Sequence, residues 1–136
     1  MNKLLLLIII PFIALSCTDE LDFDGQTKKV FKGRLIDEQG NPIEGITVSA
    51  SLHGGETEVV GTDVSDANGE YLMVFPDAQD ERYASLIVNG MQYSGSLSPD
   101  YSYYTIYNIN INTLPDHTLD FGTSMLFSPQ NGTTLQ

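Results

Sequence analysis

Apolar and polar residues alternate with a period of two through much of the chain beyond residue 30. The clearest case is the segment 46–53, in which the alternation places Ile46, Val48, Ala50 and Leu52 on one face and Thr47, Ser49, Ser51 and His53 on the other. A period of two is typical of a β-strand, whose successive side chains point to opposite sides of the sheet. This segment therefore predicts a strand with one buried face and one face in solvent.

Two further segments show the same alternation. In 70–75, Tyr71, Met73 and Phe75 lie on one side, with Leu72 and Val74 opposite. Near the end of the chain the pattern predicts one shared face, made of Leu119, Phe121, Thr123, Met125 and Phe127.

The segments 83–89 and 103–111 are rich in β-branched and aromatic residues, which favour strands. Alternation puts Thr105, Tyr107, Ile109 and Ile111 on one face of the second segment. If that face is the core face, Tyr107 packs inside, and the residues that look outward are Tyr104, Ile106, Asn108 and Asn110.

Residues that favour turns cluster between these segments, at 37–42, 66–69, 89–90, 98–100 and 115–116. No convincing helical period follows Leu15. Short strands at a spacing of roughly ten residues, separated by such turns, predict an all-β fold of the β-sandwich type.

The first residues follow another pattern. A short positive segment that ends at Lys3 precedes an apolar run, 4–15, which is too short for a membrane helix of roughly 20 residues. The sequence Ala-Leu-Ser-Cys at 14–17 resembles the lipobox of bacterial lipoproteins, and Cys17 is the single cysteine of the chain. We predict a signal peptide at 1–16 and lipidation of Cys17, which attaches the protein to a membrane. The alternative is an ordinary secretory signal beside a chance cysteine.

Acidic residues follow Cys17 closely, and we predict a solvated tether over 17–28. Acids at this position resemble the surface-export signal of lipoproteins in the Bacteroidota group. We expect a lipid-anchored protein of the outer membrane, displayed on the cell surface. The alternative is a plain acidic spacer on a protein that faces the periplasm.

The predicted domain, 29–136, resembles the carboxypeptidase regulatory-like family. The similarity lies in the motif residues Gly33, Leu35, Asp37, Gly40, Pro42, Gly45, Ile46, Val48, Ser65, Asp66, Gly69 and Tyr71. The resemblance implies a seven-stranded Greek-key or transthyretin-like β-sandwich after the signal and the flexible tether. It also implies a non-catalytic appendage, of a kind that several surface and uptake assemblies carry, including outer-membrane glycan importers.

Four oxygen-bearing side chains around one predicted turn form a weak calcium candidate: Asp63, Asp66, Asn68 and Glu70. The alternative interpretation is an Asx-type turn that closes a hairpin, with Asn68 and Gly69 supplying a positive φ. We expect no metal and no cofactor.

The densest aromatic segment of the chain suggests a binding site at Tyr101, Tyr103 and Tyr104, followed by Tyr107. Tyrosine combines a large contact area with a hydroxyl group, and it is common where proteins bind partners or sugars. The alternative interpretation is that these rings only cover an edge of the sandwich.

Charge and missing motifs exclude several classes of function. The chain has six basic and eighteen acidic residues, so it repels nucleic acid. It contains neither an H-E-x-x-H nor a G-x-S-x-G motif, and we expect its two histidines, His53 and His117, to be solvated. The sequence predicts a non-catalytic surface lipoprotein that acts as a binding or adaptor module for a protein or glycan, in the setting of a nutrient (glycan) uptake complex. The alternative is a carbohydrate-binding module that uses 101–107.

Overall fold

Strands make up most of the computed structural model, which describes residues 23–52, 58–78, 82–90 and 98–129. The strands are β1 (Phe23–Ile36), β2 (Thr47–Leu52), β3 (Val59–Val64), β4 (Glu70–Ala78), β5 (Tyr83–Val88), β6 (Tyr104–Asn110) and β7 (Thr118–Met125). Two short 3-10 turns, Ile111–Thr113 and Pro115–His117, lie between β6 and β7. The predicted all-β, seven-stranded sandwich is confirmed.

The strands form two sheets, with the orders β4-β1-β7 and β3-β2-β5-β6. The strands of the larger sheet are all antiparallel to their neighbours. In the smaller sheet β1 is antiparallel to β4 and parallel to β7. The smaller sheet therefore joins the start of the described chain to its end, a long-range pairing that local patterns do not reveal. In the described part of the chain, no helix is long and apolar enough to span a membrane.

The core lies between the two sheets. Its largest fully buried side chains include Phe31, Phe75, Leu35, Ile46, Leu52, Met73 and Leu86. The ring of Phe31 packs edge-to-face against Phe75 and Phe121, with centroids 4.9 and 5.2 Å apart. The predicted inner faces of β2 and β4 are confirmed, since Ile46, Val48, Ala50 and Leu52 are buried together with Tyr71, Met73 and Phe75.

The predicted solvent face of β2 is wrong, because Ser49 and Ser51 are buried as well. The physical reason is that β2 is an interior strand, flanked by β3 and β5. Ser51 lies opposite Ser85, and the Ser49 hydroxyl lies 3.4 Å from that of Thr62. Small hydroxyl side chains thus fill this part of the sheet between neighbouring strands. His53 lies outside the described residues.

The predicted faces of 103–111 are confirmed for Ile109 and Ile111, which lie inside, and for the exposed Ile106, Asn108 and Asn110, but they are wrong for two tyrosines. Tyr107 is exposed, whereas Tyr104 packs against the core. The register with β5 shifts between Ala84 and Leu86, opposite the part of β6 where Asn108 has a φ of 58°. A bulge of this kind inserts one residue and moves the following side chains to the other face.

A second shift divides β7. Leu119 and Phe121 pack against the core as predicted, but Met125 and Phe127 are exposed and Leu126 is buried instead. The register with β1 shifts between Lys32 and Arg34, opposite Gly122, which has a φ of 65°. The extra residue reverses the alternation, so the single shared face predicted for this segment is wrong.

The N-terminal boundary differs from the predicted one. Strand β1 begins at Phe23, whereas the domain was predicted to begin at residue 29 and the tether to extend through 28. The predicted signal 1–16, the predicted lipidation site Cys17 and the first residues of the tether lie outside the described residues.

Candidate functional site

The turn between β3 and β4 is built around one carboxylate. Asp66 Oδ1 accepts hydrogen bonds from the backbone N–H groups of Asn68, at 2.8 Å, and Glu70, at 2.9 Å. The Gly69 N–H donates to the backbone oxygen of Asp66 at 2.8 Å, and Gly69 has a φ of 76°. This is the Asx-type turn of the alternative interpretation, with glycine alone supplying the positive φ.

A second acidic residue ties the two sheets together beside that turn. Asp63 Oδ2 accepts a 2.7 Å hydrogen bond from the backbone N–H of Leu72. Since β3 and β4 belong to different sheets, the turn connects the sheets instead of closing a hairpin within one of them. Among the described residues no group of three or more His, Cys, Asp or Glu side chains is placed to hold a metal ion. Of the four calcium candidates, Asp63 and Asp66 thus have carboxylate oxygens committed to the fold.

An open groove of about 610 Å³ runs beside this turn over the smaller sheet. Both of its basic side chains lie next to an oxygen acceptor. Lys32 Nζ is 3.5 Å from Asp120 Oδ2, and Arg34 Nε donates to the Asn68 oxygen at 2.8 Å. The Gly122 N–H, followed by the Lys32 ammonium, lowers the pKa of Asp120. The groove is thus lined by two basic and four acidic side chains, and its surface is net acidic.

The phenol of Tyr71 points back over β1, where its hydroxyl lies against Gly33 and leaves no room for a side chain there. Within the described part of the chain this hydroxyl has no hydrogen-bond partner. Burial raises the pKa of Tyr71 far above its ordinary value. Burial also raises the pKa of Tyr104, an effect that the Ser124 hydroxyl opposes. Burial thus disfavours the phenolate form of both side chains.

A buried ion pair lies at one end of the smaller sheet. Lys29 is 3% exposed, and its Nζ lies 3.3 Å from Asp77 Oδ2 and 3.3 Å from His117 Nδ1. The Lys29 ammonium donates to the imidazole nitrogen when that nitrogen is unprotonated. His117 is exposed, as predicted for a solvated histidine, but it also contacts this pair. The cluster holds the end of β1 against β4 and the turn before β7.

The three tyrosines of the predicted binding site differ in exposure. Tyr103 is 71% exposed, while Tyr101 and Tyr104 are half-buried and pack against the core. The exposed aromatic neighbour on β6 is Tyr107, at 56%. Of the three predicted binding tyrosines, Tyr103 is thus the one whose side chain is mostly exposed. The three side chains do not form an exposed platform.

A buried asparagine fixes the segment that leads into β6. Asn89 Nδ2 donates to the backbone oxygens of Ser98, at 3.1 Å, and Tyr101, at 2.9 Å. Its Oδ1 accepts from the Ser98 N–H at 2.8 Å. Asn89 itself has a φ of 55°, so the same residue makes the turn after β5 and holds the loop before Tyr103. The sequence indicated a turn at 89–90, but nothing in it revealed this second role.

The strands at the sheet edges differ in charge. Strand β3 carries Asp63, β4 carries Glu70 and Asp77, and β7 carries Asp120. Strand β6 carries no charged residue, and no charge occurs anywhere between Asp100 and Asp116.

Exposed apolar side chains lie on and beside this uncharged strand. Ile106 and Tyr107 are exposed on β6, and Phe127 is exposed beyond β7. Ser102 joins the two segments, because its N–H donates to the Phe127 oxygen at 2.7 Å and its Oγ accepts from the Phe127 N–H at 3.1 Å. We define the β6 surface as Tyr103, Ile106, Tyr107 and Phe127. Sequence reasoning singled out Tyr103 and Tyr107 and predicted that Ile106 faces outward, but it missed Phe127.

The structure defines an all-β sandwich, and comparisons with known proteins add no family to it. No family model and no curated protein matches the chain. Solved structures that it resembles include a 9R-lipoxygenase from Cyanothece PCC8801, at 22% identity over 72% of this chain and 16% of that one, with a TM-score of 0.44.

Two other similar structures are a 3-chlorocatechol 1,2-dioxygenase from Rhodococcus opacus 1CP and an alternative pilotin from the type II secretion system of Vibrio cholerae. The dioxygenase is 12% identical over 80% of this chain and 60% of that one, with a TM-score of 0.43. The pilotin is 12% identical over 77% of this chain and 100% of that one, with a TM-score of 0.42. The chain thus spans less than two thirds of the lipoxygenase and of the dioxygenase. Similarity at this level assigns no activity.

Proposed function

We propose that this protein is a non-catalytic lipoprotein of the outer membrane that acts at the cell surface as a binding or adaptor module. Its lipidated Cys17 attaches it to the membrane, and the β6 surface holds a partner. The partner belongs to a surface assembly of the nutrient (glycan) uptake kind. The observation that carries the proposal is the β6 surface itself, an exposed and uncharged aromatic strip on a strongly acidic chain.

The β6 surface differs in composition from the edge strands of most soluble proteins. Edge strands of soluble proteins are normally protected by charged residues or proline, as β4 is by Glu70, Pro76 and Asp77. Aromatic side chains concentrate at interfaces because they bury a large area with few rotatable bonds. The β6 surface has the aromatic residues and lacks the protection.

The site chemistry agrees with a binding role. In the groove Lys32 pairs with Asp120 and Arg34 donates to the backbone of Asn68, while burial disfavours the ionised form of the Tyr71 phenol. The sequence supports the anchor through the apolar run 4–15 and the small residue before Cys17. The resemblance to carboxypeptidase regulatory-like domains supports the role of a non-catalytic appendage.

The test is a pull-down from the protein's own cells with tagged wild type beside Cys17→Ala. We expect wild type in the membrane fraction together with an outer-membrane transporter or a glycan-binding lipoprotein, and Cys17→Ala released from the membrane. Retention of Cys17→Ala in the membrane would exclude the anchor. Recovery of the protein without any such partner would exclude the adaptor role.

The second candidate is a carbohydrate-binding module that uses 101–107. The exposure of Tyr103 and Tyr107 favours it, because a tyrosine ring can stack on a sugar. Binding to a glycan array that is lost in Tyr103→Ala and Tyr107→Ala would establish this function in place of the first.

A further inference from the structure

Strand β6 ends the larger sheet, where its sequence neighbour β5 is its one strand partner among the described residues. The outer side of such a strand presents backbone N–H and C=O groups at regular spacing. A second extended chain, at about 4.8 Å from the first, can satisfy these groups in series. The edge therefore selects for a polypeptide in the extended conformation.

The accessible part of this edge is short. The bulge at Asn108 interrupts the ladder between β6 and β5. The exposed apolar side chains Tyr103, Ile106 and Tyr107 all lie before it. A bulge twists an edge away from regular pairing, so an added strand has its best register over 103–107.

Charge decides what kind of chain adds there. Two copies of this protein would each bring a formal charge of −12 to the contact, and like charges oppose their association. The strip itself carries no charged residue, whereas the chain as a whole is strongly acidic. A complementary segment is therefore uncharged over its centre and basic at its ends.

We propose that a partner protein binds this chain by strand addition, laying an extended, uncharged segment with basic flanks along β6 from Tyr103 to Tyr107. The inference rests on the proposed function, because it specifies how the β6 surface recognises its partner. Backbone hydrogen bonds supply most of the contact, and Tyr103, Ile106 and Tyr107 receive alternate side chains of the added strand.

The test uses the mature chain with Cys17→Ala and a displayed library of random twelve-residue peptides as the probe. We expect the enriched peptides to alternate β-branched or aromatic residues, to lack central proline, and to carry Lys or Arg at the ends. Tyr107→Lys and Ile106→Lys are expected to weaken their binding about tenfold or more, since each places a charge on the edge. Val64→Lys is the matched control, because Val64 is 51% exposed on the edge strand β3, and it should leave binding unchanged.

Circular dichroism of each variant checks that the sandwich is folded. Proline-rich or helically patterned peptides, an absence of enrichment, or equal binding to Tyr107→Lys would overturn the proposal. So would a stable dimer in sedimentation that Tyr107→Lys dissociates, since β6 would then bind a second copy. These outcomes leave the pull-down result unaffected, so a wrong mode of recognition is distinguishable from a wrong function.

Discussion

The two sides of the sandwich are closed in different ways. On the side of β3 and β4, Asp63 binds the backbone of Leu72 across the two sheets, and Asp66 satisfies the N–H groups of the turn. On the side of β6 and β7, both edge strands contain bulges, and Ser102 joins the segment before β6 to the backbone of Phe127 through its N–H and its Oγ.

The difference lies in what the acidic residues of the two sides do. Carboxylates on the β3–β4 side serve as hydrogen-bond acceptors for backbone that would otherwise lack partners. On the β6–β7 side the one acidic strand residue is Asp120 on β7, and β6 exposes uncharged side chains to solvent. We interpret the first side as the stabilising side and the second as the binding side, so substitutions on the first should cost more stability than comparable substitutions on the second.

The largest expected contrast is between two glycines with positive φ. In Gly69→Ala, the new Cβ would collide with the Leu35 backbone oxygen, in addition to the unfavourable φ. In Gly122→Ala, no heavy atom lies within 4 Å of the new Cβ. We expect a loss of about 4 kcal/mol in the free energy of unfolding for Gly69→Ala and about 1–2 kcal/mol for Gly122→Ala, measured by urea denaturation. Equal losses would show that the turn tolerates displacement.

The next contrast compares two ion pairs. Asp77→Ala should cost about 3 kcal/mol, because it leaves the buried Lys29 ammonium without its carboxylate. Asp120→Ala should cost much less than Asp77→Ala, since Lys32 and Asp120 are both exposed and solvent screens their attraction. Lys29→Met is the control, as it replaces the buried charge with an apolar side chain of similar length and should be less harmful than Asp77→Ala. A reversed order in chemical denaturation would contradict this assignment.

A smaller contrast compares two side chains that cap turns. Asp66→Ala removes the acceptor for two backbone N–H groups and should cost about 1–2 kcal/mol. Asn110→Ala, on the β6 side, removes the acceptor for the single N–H of Asn112 and should cost about 0.5–1 kcal/mol. Thermal unfolding of both variants measures the difference. A loss of stability in Asn110→Ala equal to that in Asp66→Ala would contradict the assignment of the β3–β4 side as the stabilising side.

The smallest expected effect is a dependence on pH. The Asn41 side chain and nearby backbone N–H groups lower the pKa of Asp37, and the Gly122 N–H and Lys32 lower that of Asp120. A folded-state pKa below the ordinary aspartate value of 3.8 stabilises the fold at pH values above 3.8, where the carboxylate is charged. This contribution is lost as pH falls below 3.8 through the folded-state pKa.

Thermal midpoints between pH 7 and pH 2 test the sign of this effect. Wild type should lose more stability below pH 4 than Asp37→Asn or Asp120→Asn does, because neither variant retains the titrating group. A steeper acid loss in the variants than in wild type would show that the sign is wrong.

Sequence reasoning succeeded where the alternation is uninterrupted. Tyr71, Met73 and Phe75 are buried as predicted, because β4 pairs with β1 without a slip from Lys28 to Arg34. It failed where one inserted residue reversed the alternation, at Asn108 in β6 and at Gly122 in β7. Both residues tolerate a positive φ, which is the signal that local sequence offers for a bulge.

Other features depend on contacts that are remote in sequence. The parallel pairing of β1 with β7 and the interior position of β2, which buries Ser49 and Ser51, follow from the sheet order. The tyrosine segment was singled out from composition, but its division into packed Tyr101 and Tyr104 and exposed Tyr103 depends on the loop that Asn89 holds. The Cys17 anchor remains a prediction.

Site-specific photocrosslinking in the protein's own cells tests the central claim most directly. A benzoylphenylalanine replaces Tyr107 on β6 in one strain and Leu72 on β4 in another, since both positions are about half exposed. We predict a discrete adduct of the Tyr107 derivative with one partner protein and no adduct of the Leu72 derivative. An adduct formed from position 72 and absent at position 107 would contradict the assignment of β6 as the binding side.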